Sequence, residues 1–372
     1  MITEKILSVI LFLQTNIIRD ILIKGFSINN HHWWNMKLKL LGIIIGIMLL
    51  APLLTVAQPQ HPLQQETIKN KPVRSSYSAD VPVWEIGDTW TYKIEDMALN
   101  LSEAGRQINL NLDIGTLPLI VTDTTGEYYT LTFDTTMNGQ GRYFTDQGYG
   151  AVNISISFNA VELTGSVRVE KSTLGIKELS ASVDKQKFTF ELLEQPFLPL
   201  PAFLKKITSR ISMNVTTNSD SPKTLLTFPL DTETVWNSTA ANISVDGNIQ
   251  SIWFNILYLV NTIGSLFGME ILPSDIAALL PIININDALT TLIGGNVFQI
   301  PSIPYAFYCL NTENITTPAG PFEAYNITLI GGVAQCYFAP DAGNIVKISG
   351  DLAAIFPRIQ RFDMALLSTT FS

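Results

Sequence analysis

The chain has 372 residues, 47% of them apolar and only 15% charged, with a formal net charge of −9. A composition this rich in aliphatic and aromatic residues is not that of a disordered chain, and the acidic balance argues against a nucleic-acid partner. Two Cys cannot by themselves make a four-ligand zinc site or staple a disulfide-dense mini-domain.

Residues 1–35 read as an upstream extension of the reading frame, because Met36-Lys37-Leu38-Lys39 has the form of a natural start. An alternative is that residues 6–13 open a separate apolar segment. Residues 36–57 carry the export signal. Lys37 and Lys39 precede a run without charge over residues 40–57, and Thr55-Val56-Ala57 closes it with the small residues a signal peptidase reads. A retained N-terminal membrane anchor is the rival reading, since a run of this length sits at the lower limit for a bilayer span. No Cys stands at its exit, so acylation there is excluded. Either way the protein is expected outside the cell or at its surface. The leader holds five of the 23 Lys and Arg and two of the 32 Asp and Glu, leaving a net charge of −12 beyond it.

Residues 58–80 are rich in Gln, Pro, Ser and Lys with no apolar period, and read as a flexible tether. From residue 81 to residue 372 the dominant period is two. Leu110, Leu112 and Ile114 alternate with Asn111 and Asp113, and Ile154, Ile156 and Phe158 alternate with Ser155 and Ser157. Phe188 and Phe190 alternate with Lys187 and Thr189. Such alternation predicts strands with one buried and one wet face. Asn138-Gly139, Asp246-Gly247 and Asp341-Ala342-Gly343-Asn344 supply turn chemistry between them. Short spacing favours an antiparallel sheet over a parallel α/β fold.

Residues 251–295 break this period. Trp253, Leu257, Val260, Ile263 and Phe267 fall at helical spacing, and Ser274-Asp275 and Asn286-Asp287 have the form of helix caps. The expected fold class is therefore mainly β with a helical insert (α+β), a large curved antiparallel sheet or half-barrel wrapping apolar helices. Those helices would cover the greasy face of the sheet or wall a lipophilic cavity.

Chemistry-bearing residues are sparse. Beyond the leader the sole His is His61, on the tether, which leaves no imidazole for a nucleophile triad or a common metal site. No phosphate-cradling Gly loop is present. No cofactor, no metal and no catalytic residue is expected. The carboxylate pairs Glu191/Glu194 and Asp231/Glu233 are the candidates for a minor hydrolase reading, and each is more simply a solvated strand end. Cys309 and Cys336 are expected to form a disulfide in an exported chain. Seven N-x-S/T sequons, at Asn100, Asn153, Asn214, Asn237, Asn242, Asn314 and Asn326, are glycosylation candidates, and the first-principles alternation puts Asn153, Asn214 and Asn326 on wet faces. Between Lys223 and Lys347 there is no basic residue. That half would repel anions, and if it binds an ion a cation is the expected one.

Trp84-Glu85-Ile86-Gly87-Asp88-Thr89-Trp90-Thr91-Tyr92 opens the domain. Phe228-Pro229-Leu230, Trp236, the stretch from Glu313-Asn314-Ile315 through Pro321-Phe322-Glu323-Ala324-Tyr325, and Tyr337-Phe338-Ala339-Pro340-Asp341-Ala342-Gly343 follow. This order resembles uncharacterised exported β proteins of archaea and bacteria, whose fold is similar to the lipoprotein carrier (LolA/LolB-like) half-barrel. The resemblance implies a curved sheet over helices and marks strand entries and hairpins, with no binding residue to carry over. Three functions follow from the sequence: a non-enzymatic exported protein holding a lipid or other apolar ligand, a structural or adhesive envelope module with a filled core, and the minor hydrolase. For the first, Trp84, Trp90, Phe188, Phe190, Trp253 and Phe254 are the expected lining. Membrane contact would run through the N-terminal segment.

Overall fold

The computed structural model describes residues 78–103, 106–146, 151–194, 205–251, 282–284, 297–300, 302–329, 332–351 and 359–372, together with Thr262. Its strands are β1 (Thr89–Glu103), β2 (Arg106–Asp123), β3 (Tyr128–Asp146), β4 (Ala151–Glu170), β5 (Ile176–Glu194), β6 (Lys206–Lys223), β7 (Val235–Ser238) and β8 (Ala241–Gln250). Then come β9 (Ile282–Asn284), β10 (Val297–Ile300), β11 (Ile303–Thr317), β12 (Gly320–Leu329), β13 (Ala334–Ala339), β14 (Asn344–Gly350) and β15 (Ile359–Thr369). All pair antiparallel in one sheet. The order is β10-β8-β6-β5-β4-β3-β2-β1-β15-β14-β13-β12-β11-β7, with β9 set on β8.

The two ends of that order meet. β7 and β8 are separated by two residues, as are β10 and β11. Ala241 of β8 faces Ile300 of β10. Three residues back on the one and three forward on the other, Ser238 of β7 faces Ile303 of β11. The register carries on from one pair to the other, so β7 and β8 lie along one line of the sheet and β10 and β11 along the line beside it. With them counted as two, and β9 off the path, the sheet is a closed up-and-down ring of twelve strands, each beside its sequence neighbour. β1 and β15 complete the circuit. An even strand number is what an all-antiparallel ring requires, and closure removes most of the sheet's exposed edges.

Alternation decides which side of the wall faces in. On β3, Tyr129, Leu131, Met137 and Tyr143 are buried, while Asp134, Thr136, Gln140 and Arg142 are exposed. Ile211, Met213 and Val215 of β6 are buried and Asn214 is exposed. On these strands apolar side chains face inward and polar ones face outward, the reverse of a lipid-embedded barrel.

A belt of bulges crosses β1 to β5 and bends the long strands. Asp96, Ala160 and Lys185 have left-handed backbone (φ 51°, 50° and 49°), and pairing slips between Glu95 and Ala98, Met137 and Gly139, and Val183 and Gln186. Each bulge frees backbone donors. Side chains of the next strand satisfy two of them: Ala160 N–H donates to Asn138 Oδ1 (2.8 Å) and Lys185 N–H to Ser212 Oγ (3.0 Å). Ser212 in turn donates to Asp184 Oδ1 (2.9 Å). Gly139 is needed at the belt because the Phe158 ring lies where its Cβ would be.

Two sequence expectations are corrected. The fold is not a half-barrel wrapped on apolar helices: the described residues are one antiparallel sheet, with no helical insert among them, and the ring closes on itself. Within 251–295, residues Ile282–Asn284 form strand β9 on the edge of β8. Ile282 and Ile283 are β-branched and suit a strand, and a run this uniformly apolar satisfies a helical period without being bound to it. The remainder of the insert apart from Thr262, with Trp253 and Phe254, lies outside the described residues, as do residues 1–57. The tether also ends earlier than residue 80. Ala79 is buried and exchanges both backbone hydrogen bonds with Leu230 (3.1 and 2.8 Å).

Candidate functional site

The buried apolar side chains form two clusters. The larger gathers Leu110, Leu112, Ile156, Phe158, Phe188, Ile211, Met213 and Ile243 from β2, β4, β5, β6 and β8, together with Phe307, Cys309, Ile327 and Phe338 from β11 to β13. Phe158 and Phe188 pack with ring centroids 4.7 Å apart. Within this wall Ser209 of β6 is 1% exposed, and its hydroxyl has no hydrogen-bond partner. A buried hydroxyl left unpaired costs about 1–3 kcal/mol, so the position favours something polar brought to it from the interior.

The smaller cluster plugs one end. Trp84 Nε1–H donates to Gly343 O (2.9 Å), Trp90 Nε1–H to Ala342 O (2.6 Å) and Tyr92 OH to Ile345 O (2.8 Å). Trp84 N–H donates to Tyr129 OH (3.0 Å). The three carbonyl acceptors belong to the turn Pro340–Ala342, a single 3-10 turn, and to the residues just after it. That turn ends on Gly343 in the left-handed conformation (φ 61°) with the Phe371 ring directly over it. Trp90 is fully buried. Every indole donor here is spent on backbone, so this end is solid.

The expected lining residues are therefore divided. Trp84 and Trp90 belong to the plug, while Phe188 and Phe190 belong to the larger cluster. The sequence pattern could not separate them, because both sets alternate in the same way.

Cys309 and Cys336 are both buried free thiols. Cys309 of β11 and Cys336 of β13 face the same residue, Ile327 of β12, from its two sides. Two strand spacings put their Cα atoms roughly 9–10 Å apart, beyond the reach of a disulfide. The expected bridge is thus corrected: a strand stands between the partners. Burial pushes both thiols up to about 12, with the Asp231 charge adding to the effect at Cys309.

The two carboxylate pairs lie apart in the chain's elements, one on β5 and the other in the segment between β6 and β7. Glu191 and Glu194 lie exposed on β5, opposite Ser155 and Asn153. Glu233 is exposed with a left-handed backbone (φ 66°) and donates its N–H to Cys309 O (2.7 Å). Among the described residues no three His, Cys, Asp or Glu converge as a metal-binding group. No described helix is long and apolar enough to cross a membrane.

The sequons divide by exposure. Asn214, Asn237, Asn242 and Asn314 are exposed, and Asn100 and Asn153 are half-buried. Asn326 is 4% exposed and donates Nδ2–H to Glu313 Oε1 (2.8 Å). Alternation puts Asn326 on the wet phase of β12, but Glu313 and Tyr337 on the neighbouring strands cover it. Residue-pattern reasoning passed over Ser209, whose burial depends on which strands flank β6.

No family model matches the chain, and neither the curated proteins nor the solved structures contain a match.

Proposed function

We propose that this chain is an exported, non-enzymatic protein that holds an apolar ligand, such as a lipid, inside the ring. The observation that carries the reading is the strand count together with the apolar inner wall. Eight strands enclose a space their own side chains can fill or that admits one small ligand, and wider rings enclose more. Twelve strands with buried Phe, Ile, Leu and Met facing inward make a wide apolar interior, the chemistry that an apolar ligand needs. The secretory pattern of residues 36–57 supports the address outside the cell.

A second reading, a structural or adhesive envelope module with a filled core, is favoured by one observation. The Trp84–Trp90 end is packed and hydrogen-bonded throughout. Native mass spectrometry of the purified chain, followed by solvent extraction, distinguishes the two. The carrier reading expects an apolar molecule to remain bound and to be released by the solvent. A bare chain of unshifted mass overturns that reading in favour of the filled module.

A further inference from the structure

We infer that Asn214, Asn237, Asn242 and Asn314 carry N-linked glycans, the first three over the outer face of the seam where the ring closes and the fourth at the open edge of β11. The inference rests on the export reading for access to the glycosylation machinery, and on geometry for everything else.

Seven sequons are spread over more than 200 positions of sequence, yet the four exposed ones fall on neighbouring strands of the ring. Asn214 is on β6, Asn237 on β7, Asn242 on β8 and Asn314 on β11. Those elements are three adjacent walls of the twelve: β6, the line of β7 and β8, and the line of β10 and β11. On β6 and β8 the outward direction is fixed by the neighbours. Asn214 stands between buried Met213 and Val215, and Asn242 between buried Ala241 and Ile243. A glycan on an outward strand residue leaves the inner packing untouched.

The same strands carry a liability that glycans would cover. Val235, Val297 and Leu310 are large apolar residues 46%, 54% and 47% exposed, on β7, β10 and next to Asn311 on β11. The stretch of β11 from Asn311 to Thr317 pairs with β12 on one side and with no strand among the described residues on the other. An open edge beside exposed apolar residues invites pairing with a second chain. Asn314 is exposed in the middle of that edge, on the face of the strand shared with Thr312 and Tyr325, so its glycan would stand at the edge and not on the outer wall. A bulky, hydrated group there blocks such pairing.

In the transfer step, the Asn amide nitrogen bonds to the anomeric carbon of a sugar carried on a lipid-linked phosphate donor. The bond from that carbon to the phosphate oxygen breaks, the phosphate leaves with the bonding electrons, and the amide gives up one proton. Asn326 is excluded because its amide is buried and engaged with Glu313.

Two measurements test this. The full chain is produced with its own leader in a glycosylating host, recovered from outside the cells, and mapped by glycopeptide mass spectrometry. Added sugar at all four positions and none at Asn326 is expected. An exported chain that is bare at these positions, or is modified at Asn326, overturns the inference while leaving the export reading intact. A chain that stays inside the cell overturns the export reading and, with it, glycosylation. Independently, single variants Asn214→Cys, Asn237→Cys, Asn242→Cys, Asn314→Cys and Asn326→Cys, made in a Cys309→Ala/Cys336→Ala background, are treated with a maleimide without denaturant. The first four should label fully and the last should not. Protection of any of the four removes the geometric basis of the inference.

Discussion

Ile303 donates its backbone N–H to the Ser238 hydroxyl, 3.0 Å away, at the point where the two ends of the sheet meet. Ser238 is 2% exposed, and its partner lies 65 positions along the chain. This contact bridges the short breaks between β7 and β8 and between β10 and β11, which lets an up-and-down meander become a ring. Ser238→Ala leaves the Ile303 N–H unpaired in a buried place and should cost about 1–3 kcal/mol, read from denaturant unfolding.

Trp90 is the cornerstone of the closed end. Its ring lies 4.8 Å from Trp84 and 6.0 Å from Phe371, and its N–H reaches Ala342 O. Trp90→Ala should destabilise by about 3–5 kcal/mol. Trp90→Phe keeps most of the volume and loses the hydrogen bond, so it should fall well short of that. Equal losses for the two variants would mean that the indole N–H, not packing, dominates.

The bulge at Ala160 holds a non-glycine residue in left-handed backbone, a conformation that costs an L side chain about 1–2 kcal/mol. Ala160→Gly should therefore stabilise the chain by a good part of that amount, less what the freer unfolded chain takes back. Asn138→Ala should destabilise, because it removes the acceptor of the Ala160 N–H. Thermal melts of the two variants should move in opposite directions.

Both thiols should be inert in the folded chain. Burial lifts Cys309 and Cys336 to about 12, so almost no thiolate exists at pH 8. Iodoacetamide without denaturant should add no mass, and with denaturant, without reductant, should add two groups. Failure of the denatured chain to take up two groups would show a disulfide in place of two free thiols.

Lys223 is pulled down to about 8 by burial. A Lys whose folded pKa lies below its unfolded value costs stability wherever both states are charged, that is below pH 8. Between pH 8 and about 10.5 the folded state sheds its proton first, so stability from this group rises with pH. Lys223→Met should stabilise at pH 7 by on the order of 1–3 kcal/mol, and the gain should shrink toward pH 10. The raised thiols and tyrosines titrate in the same window with the opposite sign. They are present in both proteins, so the difference between the two curves isolates Lys223.

Much of the wall was legible from period-two alternation, as at Leu110, Leu112 and Ile114 or at Phe188 and Phe190, because burial of one face is written locally. Closure was not. It depends on Ser238 meeting Ile303, a pairing that no window of neighbouring residues contains. Bulges hid the strand lengths: at Ala160 and Lys185 one extra residue shifts the phase, so one long strand reads as two short ones. The cysteines illustrate the same limit. Their even number suggested a pair, and only the placement of β12 between them shows why they stay apart. Asn326 sat on the wet phase of its strand and is buried by side chains from the strands on either side.

Ring closure is the claim on which the enclosed interior depends, and a cross-link tests it most directly. Ser238→Cys and Ile303→Cys, introduced together in a Cys309→Ala/Cys336→Ala background, face each other across paired strands within disulfide reach. Under mild oxidation the folded chain should lose two free thiols, form the 238–303 bridge within one chain and melt at a higher temperature. A chain whose two cysteines each react freely with a maleimide, with no bridge under oxidation, would contradict closure and leave an open sheet in place of the ring.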